Sequence, residues 1–255
     1  MDENPGRFTM RTAVILPAAG LGTRMGRSTA EKTGTSRKQF MLLEGSPILL
    51  HTVRKFAGCD LVSEIVIAVR KEDRAWVEDL LHSEVFGKPV RVVEGGDSRQ
   101  QSVENALLSL DTSTELVAVH DAVRPFIALE SIRKVIETAA QTGAAIVGIV
   151  PVDTVKQVSS GPVSHAKIQA TLPRDHLILA QTPQVFRYEL LVEAFRSARE
   201  DGFTGTDESS LVERLERVDI RVVPGSDRNI KITKPSDMDL ARFLFQQQSH
   251  EQGGS

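Results

Sequence analysis

Positive charge is concentrated in one short segment that follows the first apolar run of the sequence. Residues 22–38 contain five basic side chains and one acidic side chain, although the whole chain of 255 residues has a formal net charge of −3. Gly20 and Gly22 stand at the start of this segment, where a glycine backbone lets N–H groups approach a phosphate closely. The basic residues are Arg24, Arg27, Lys32, Arg37 and Lys38. The pattern is typical of a loop that closes over a polyphosphate, and a solvated basic surface loop is the alternative.

The spacing excludes two familiar phosphate-binding loops. The dinucleotide fingerprint needs a third glycine three residues after the second, but Met25 stands there and Gly26 comes one residue late. The loop of ATPases needs a Gly-Lys-Ser/Thr string, which the sequence lacks. The segment therefore favours a triphosphate site of another kind.

Another polar string, "EGGDSRQQSV" at residues 94–103, follows a run of apolar residues. Its glycines could let a flat base lie on the backbone, where Asp97 and Ser102 would read the polar edge of that base. The alternative is an ordinary helix start, because Asp97 or Ser98 can cap the helix that follows.

The remaining polar strings lie beside other predicted strands or beside a predicted β-hairpin. Asp121 in "VHDAVRPF" could bind Mg²⁺ or a sugar hydroxyl, since Mg²⁺ on a triphosphate needs one or two protein carboxylates. A structural pair with Arg124 is the alternative. Arg174 and Lys231 stand beside hydroxyl and amide donors and are typical of separate phosphate contacts, with plain surface charge as the alternative. His120 fits a hydrogen-bonded core residue better than a catalytic base.

These strings need an α/β scaffold that brings strand ends together. Nearly continuous apolar runs predict strands at residues 12–16, 65–69, 90–93, 116–120, 145–150 and 220–223. Apolar residues at helical spacing between them predict helices, with buried faces at Ile132, Val135, Ile136 and Ala139 and at Leu191, Ala194, Phe195 and Ala198. The alternating order indicates a mainly parallel sheet covered by helices, with ligands at the carboxyl edge.

Residues 152–172 interrupt this order. Alternating stretches around the turn signal "SSGP" predict a β-hairpin, which we call the arm. A hairpin cannot bury both of its faces, so the arm should pack on something else, such as another subunit. We expect residues 1–10 to be flexible, residues 11–246 to form a single domain, and the polar residues 247–255 to be a disordered tail.

Composition excludes several classes of protein. The acidic balance and the lack of a basic stripe argue against nucleic-acid binding. The apolar runs are shorter than the roughly 18 residues that a membrane helix needs, and the N-terminus lacks a signal pattern, so we expect a cytoplasmic protein. The single cysteine, Cys59, rules out an internal disulfide and is expected to be a buried apolar residue.

Eight strings in order resemble one enzyme family. They are "PAAGLGTRMG", "KQF", "GGDSRQQSV", "HDAVRP", "PVDTVK", "QTPQVF", "TDESSLVE" and "NIKIT", and they are similar to bacterial 2-C-methyl-D-erythritol 4-phosphate cytidylyltransferases. The resemblance implies a Rossmann-like nucleotidyltransferase fold, a three-layer α/β sandwich whose protruding arm is exchanged within a homodimer. It also implies a reaction of CTP with a polyol phosphate, methylerythritol phosphate, to give CDP-methylerythritol and pyrophosphate, with Mg²⁺.

The resemblance also implies a role for individual residues. Charge on the triphosphate would be stabilised by Arg24 and Lys38, and the substrate phosphate would be positioned by Arg174 and Lys231. The nucleotide would be bound by Ala18, Ala19, Gly20, Gly22, Gly96, Asp97 and Ser102. The methylerythritol part, the metal or the ribose would be surrounded by Asp121, Arg124, Thr154, Thr182 and Thr206, with Asp121 as the metal ligand. Arg174, at the end of the arm, would complete the neighbouring subunit's site.

One departure from the family's pattern concerns Lys38. The segment before "KQF" is longer than usual, and Arg37 stands where a proline is common, so Arg37 or Lys32 could share or take the role of Lys38. Cytidylyltransferases of ribitol 5-phosphate have similar strings, but they tend to begin the first loop with Leu-Ala-Gly-Gly, where residues 16–20 here read "LPAAG". A non-catalytic nucleotide-binding module is the remaining alternative.

Overall fold

The computed structural model describes residues 10–20 and 37–253, and side chains in these ranges except those of residues 163 and 249–253. Its strands are β1 Thr12–Pro17, β2 Leu42–Leu43, β3 Ser46–Pro47, β4 Val62–Val69, β5 Val90–Glu94, β6 Leu116–Val119, β7 Ala144–Ile149, β8 Val155–Val158, β9 Ile168–Leu172, β10 Leu179–Arg187 and β11 Arg221–Pro224. Its helices are α1 Ile48–Ala57, α2 Arg74–His82, α3 Arg99–Leu108, α4 Leu129–Thr142, α5 Tyr188–Glu200, α6 Glu208–Glu213 and α7 Pro235–Gly253.

Seven strands form one sheet in the order β11-β7-β10-β6-β1-β4-β5. Neighbours pair in parallel except at β10, which is antiparallel to both β6 and β7. The predicted α/β class and mainly parallel sheet are confirmed. The six predicted strands are present with ends that differ by one to three residues, because hydrophobic runs locate strand centres better than strand ends.

Helices cover both faces of the sheet, which gives three layers. Alternate residues of the central strands point to opposite faces, as Val14 and Leu16 enter one core while Ala13 and Ile15 enter the other. The first core includes residues of α1, α2 and α4, and the second includes residues of α3, α5 and α6. The predicted apolar faces of α4 and α5 are the buried ones, and Cys59 is buried as expected.

Strand β10 was not among the predicted strands. Its sequence "LAQTPQVFR" mixes polar residues and proline, yet residues 181–186 are buried. Gln181, Thr182 and Gln184 satisfy their polar groups through hydrogen bonds to distant segments, so burial here does not require an apolar sequence.

The arm is a two-stranded antiparallel hairpin, with Val155 opposite Leu172, as the sequence predicts. The C-terminal end differs from the prediction, because helix α7 continues through residues 247–253 where a disordered tail is expected. Once a helix has started, each further residue adds a hydrogen bond at low cost, and Met238, Ala241 and Leu244 dock its first turns. Residues 1–9 lie outside the described part of the chain. None of the helices within the described ranges has the length and apolar character to cross a bilayer.

Candidate active site

Two adjoining clefts lie at the carboxyl ends of the parallel strands. The first cleft, about 410 Å³, is bounded by the end of β1, the turn after β5 and the start of α3. The second cleft, about 190 Å³, is bounded by β10 and the segment before α6. Arg99, Asp121 and Lys231 line both clefts, so these three side chains form a shared wall.

Gln39 fixes the floor of the first cleft. Its buried side-chain amide donates to the carbonyl oxygens of Ala18, at 2.6 Å, and Gly20, at 3.1 Å. Lys38 precedes it in a short 3₁₀ turn, Lys38–Phe40, and lines the same cleft. The "KQF" string therefore joins the start of the glycine segment to a basic side chain at the cleft.

The turn after β5 forms the opposite wall. A Cβ atom on Gly95 would lie 2.8 Å from the Cβ of Ala19 and 2.9 Å from the Oγ of Ser102, so only glycine fits. The Ser102 hydroxyl accepts from the Gly96 N–H, at 3.0 Å, and donates to the Ser98 carbonyl, at 2.8 Å. Ser98 caps α3 by accepting from the Gln101 N–H. Asp97 is left exposed at the mouth of the cleft, where a carboxylate can accept from the exocyclic amine of cytosine.

The shared wall is part of a five-residue ion network, which we call the Asp121 network. Asp121 lies 3.3 Å from Arg99 Nε, 3.2 Å from Arg124 Nε and 2.9 Å from Lys231 Nζ. Arg99 also donates from both terminal nitrogens to the two oxygens of Glu208, at 2.7 and 3.0 Å. Three cations and two carboxylates leave the network with a net charge of +1, which suits the binding of anions.

Burial and neighbouring charges have opposite effects on the pKa values of the two carboxyl groups in this network. Burial alone would raise the pKa of Asp121, but the charges of Arg99, Lys231 and Arg124 hold that pKa well below its usual range. Burial raises the pKa of Glu208, and Arg99 opposes this effect. The carboxylate of Asp121 is therefore ionised at neutral pH and keeps the three cations together.

A chain of hydrogen bonds orients the loop that bears Asp121 and Arg124. The Asp121 N–H donates to the Thr182 hydroxyl at 3.0 Å, and His120 Nδ1 and Nε2 lie 3.1 Å from that hydroxyl and 3.0 Å from the Arg124 carbonyl. Because a carbonyl can only accept, Nε2 carries the hydrogen and Nδ1 accepts from the hydroxyl. Burial lowers the pKa of His120 to about 4, so its ring is neutral, as this arrangement requires.

The family model for 2-C-methyl-D-erythritol 4-phosphate cytidylyltransferase, IspD, matches residues 12–247. The chain belongs to this family. A relative of that name from Solibacter usitatus is 66% identical over 240 residues, which cover 94% of this chain and 98% of the relative. One from Acidobacterium capsulatum is 51% identical over 94% of this chain and 99% of the relative.

Solved structures agree with this assignment. The 4-diphosphocytidyl-2C-methyl-D-erythritol synthase of Anaerococcus prevotii superposes with a TM-score of 0.79 at 29% identity, over 93% of this chain and 96% of that one. The IspD of Francisella tularensis gives 0.74 at 32% identity, over 92% and 99%. The predicted nucleotidyltransferase fold is thus that of the IspD family.

Most residues predicted from the resemblance to the IspD family line the two clefts. The first cleft contains Ala18, Ala19, Gly20, Lys38, Gly96, Asp97, Ser102, Asp121 and Lys231. The second contains Asp121, Arg124, Thr182, Thr206 and Lys231. Thr154 and Arg174 are exposed at the arm and line neither cleft. Gly22 and Arg24 lie outside the described residues.

Arg37 and Lys38 face different surroundings in this IspD family member. The Arg37 guanidinium contacts the carboxylates of Asp73 and Glu72, the latter at 3.1 Å, whereas Lys38 lines the first cleft. This placement favours Lys38 for a role at the cleft. Lys32, the other alternative, lies outside the described residues.

Sequence reasoning missed Arg70, Arg99 and Glu208, which line the clefts or support their wall. Glu208 lies in the "TDESSLVE" string and Arg99 in "GGDSRQQSV", so their place in family strings was a usable signal. The contact between Arg99 and Glu208 could not be predicted from the sequence, because 109 positions separate the two residues. Arg70 follows a strand without any motif around it.

The carboxylates of the first cleft would suit a magnesium ion only if a ligand supplied most of its oxygen donors. Within the described part of the chain, no group of three or more His, Cys, Asp or Glu side chains could hold a metal. Asp97 and Asp121 are the carboxylates at the first cleft, and Mg²⁺ bound to phosphates commonly takes one or two. Both Asp121 oxygens already contact cations, so a metal there would compete with Lys231 or the arginines.

Proposed function

We propose that this chain transfers the cytidylyl group of CTP to the phosphate of 2-C-methyl-D-erythritol 4-phosphate, giving CDP-methylerythritol and pyrophosphate. The observation that carries the proposal is the shared wall. One cleft offers a glycine-lined floor and an acceptor for cytosine, the other offers hydroxyl and basic groups for a polyol phosphate, and Arg99, Asp121 and Lys231 face both. Membership of the IspD family supports the same reaction. We further propose that the reaction takes place in the cytoplasm.

The chemistry explains why the clefts hold cations rather than a catalytic base. An oxygen of the substrate phosphate attacks the α-phosphorus of CTP, a P–O bond forms, and the bond to the leaving pyrophosphate breaks. A phosphate dianion is already a competent nucleophile, so the enzyme has to bring two anions together and neutralise developing charge. His120 is neutral and faces only protein groups, which agrees with the absence of a general-base step.

Each cation has a distinct task in this proposal. Lys38, together with Arg24, stabilises charge on the triphosphate as the pyrophosphate leaves. Lys231 holds the substrate phosphate beside the shared wall, and its contact with Asp121 at 2.9 Å sets its position in advance. Mg²⁺ bound with the triphosphate would neutralise charge on the leaving group, with Asp121 as its candidate protein ligand.

The arm supports a homodimer in which each subunit completes the other's site. Arg174 and Thr154 lie away from the clefts of their own chain, and Val152 and Ile168 on the arm are 77% and 66% exposed. A second copy would cover these apolar side chains and receive Arg174 beside its own Lys231. In this proposal the isolated subunit is inactive.

Pyrophosphate release tests the reaction. Purified protein is incubated with CTP and Mg²⁺, separately with methylerythritol 4-phosphate and with ribitol 5-phosphate. Release with the methylerythritol substrate supports the proposal. Release with ribitol 5-phosphate alone assigns the protein to the other class of cytidylyltransferase, and release with neither substrate favours a binding module.

The role of Lys38 has its own test. Lys38→Ala should lower kcat by about 10²–10³ while changing the Kd for CTP much less, by analogy with the loss of other preorganised charge-stabilising donors. Arg37→Ala is the matched control, because Arg37 faces Glu72 and Asp73 rather than the cleft. A larger loss of kcat in Arg37→Ala would move the role to Arg37.

A further inference from the structure

Arg70 stands in the middle of the nucleotide side of the proposed site, where neither the sequence motifs nor the family resemblance assigns a role. It directly follows β4, and its side chain lines the first cleft. The Ala18 N–H donates to the carbonyl of Ala68, and the Gly95 N–H donates to that of Val69, each at 2.7 Å. Arg70 therefore lies between the glycine segment on one side and the Gly95–Gly96 turn on the other.

The guanidinium of Arg70 is poorly satisfied by the protein itself. Its Nε atom is buried and lies 3.4 Å from Glu72 Oε1 without forming a hydrogen bond. Across residues 10–20 and 37–253, no nitrogen of this guanidinium forms a hydrogen bond, and Glu72 is its ion-pair partner. The same Glu72 oxygen lies 3.1 Å from Arg37, so one carboxylate oxygen serves two arginines. Donors left unpaired at a cleft cost free energy that an anionic ligand can recover.

The position of Glu72 also indicates the direction in which Arg70 faces. Glu72 joins Arg70 to Arg37, and Arg37 adjoins Lys38, which lines the same cleft. The guanidinium of Arg70 therefore lies on the side of the cleft that also contains the cation of Lys38. With Nε turned to Glu72, the two terminal nitrogens of the planar guanidinium can donate two parallel hydrogen bonds to phosphate oxygens.

We infer that Arg70 binds the triphosphate of the incoming nucleotide, with Glu72 as the residue that positions it. This inference rests on the proposed function, because it takes the first cleft to be the CTP site. Arg70 contacts the triphosphate before reaction as well as during it, so it contributes to CTP binding rather than to the rate of the bound complex. In this respect it differs from Lys38.

Equilibrium binding of CTP and of cytidine, measured by calorimetry without the second substrate, tests the inference. Arg70→Gln should raise the Kd for CTP about tenfold or more, the loss expected for a charge-assisted hydrogen bond, and leave the Kd for cytidine unchanged. Arg70→Lys should recover part of the CTP affinity. In turnover, Arg70→Gln should raise the KM for CTP and leave kcat within about threefold.

Arg74→Gln is the matched control, because Arg74 also carries a guanidinium near the start of α2 but pairs with Glu78 on the surface. An Arg70→Gln protein that folds and binds CTP like the control would overturn the inference. Equal losses of affinity for CTP and for cytidine would also overturn the inference, since they would indicate that Arg70 contacts the base. Failure of the proposed function is separate: the wild-type protein would then release no pyrophosphate with methylerythritol phosphate, whatever Arg70→Gln does to CTP affinity.

Discussion

The Asp121 network includes ion pairs between distant segments of the chain, as between Arg99 and Glu208 and between Asp121 and Lys231. Arg174 beside the arm instead donates to the backbone carbonyl of Val152. Asp121 and Glu208 are buried, while Arg174 and Thr154 are exposed. The chain itself thus fixes the geometry of the network, whereas in our proposal the arm takes its final position only with a substrate or a second copy. Changes in the network should affect stability and activity together, and changes in the arm should affect activity alone.

The largest expected effect comes from the arm. Arg174→Gln should lower kcat/KM by about 10²–10³, since it removes a cation from the proposed phosphate site, while Tm stays within about 2 °C of wild type. Steady-state kinetics and thermal unfolding measure both quantities. Lys156→Gln, another loss of charge on the arm, is the control, because Lys156 donates to Thr171 across the hairpin. A large fall in Tm for Arg174→Gln would contradict the contrast between the two regions.

The second prediction concerns the most buried carboxylate of the network. Glu208→Gln should lower the free energy of unfolding by about 3 kcal/mol, because one amide cannot accept both hydrogen bonds from Arg99. Urea denaturation measures this value. Glu213→Gln, on the exposed side of the same helix, should change it by less than about 0.5 kcal/mol. Similar unfolding free energies for the two variants would mean that the Arg99–Glu208 pair contributes little to stability.

The third prediction compares a Thr→Val substitution in the network with a Thr→Val substitution in the arm. Thr182→Val leaves the Asp121 N–H and His120 Nδ1 without the hydroxyl they share, and should cost about 2 kcal/mol of unfolding free energy. Thr171→Val on the arm removes a hydroxyl that accepts from Lys156 in solvent, and should cost less than about 0.5 kcal/mol. Urea denaturation of the two variants measures both losses of stability. Equal midpoints would contradict the distinction between the network and the arm.

The smallest expected effect is a pH dependence of stability. The pKa of His120 is about 4 in the folded protein and about 6.5 in the unfolded chain. The native state therefore binds fewer protons between these values, and stability is lost as the pH falls from 6.5 towards 4. From pH 6.5 to 5.5 the loss due to His120 should be about 1 kcal/mol.

Two histidine variants isolate that contribution. His120→Gln should flatten the dependence of unfolding free energy on pH, whereas His165→Gln, at an exposed arm position, should leave it unchanged. If His120→Gln does not fold, proton NMR of the wild-type protein gives the same information. A His120 ring that titrates near pH 6.5 in the native state would refute the prediction.

Sequence patterns located most of the scaffold because buried parallel strands and amphipathic helices repeat at fixed intervals. They failed at β10, where Gln181, Thr182 and Gln184 are buried through hydrogen bonds to residues more than twenty positions away. No local pattern encodes such partners. The same limit explains Arg99, whose Glu208 partner is remote and whose sequence context is that of an ordinary helix start.

The candidate site follows the same division. Residues in family strings, such as Ala18, Asp97 and Lys231, could be placed at a cleft because strand ends meet at one edge of the sheet. The sequence could not decide between Arg37 and Lys38, because that choice depends on Glu72 and Asp73, which lie more than thirty positions further on. Arg70 has no motif around it, and its location at the cleft follows only from the pairing of β4 with β1 and β5.

The wall common to the two clefts has a consequence for inhibitor design. A molecule that links a cytidine nucleotide to a short polyol phosphate would occupy both clefts at once and lose its translational freedom once instead of twice. Because ion pairs with Asp121 hold Arg99 and Lys231 in place, we expect reorganisation of the wall to cost little of that gain. Such a bisubstrate compound should therefore bind more tightly than the affinities of its two halves suggest.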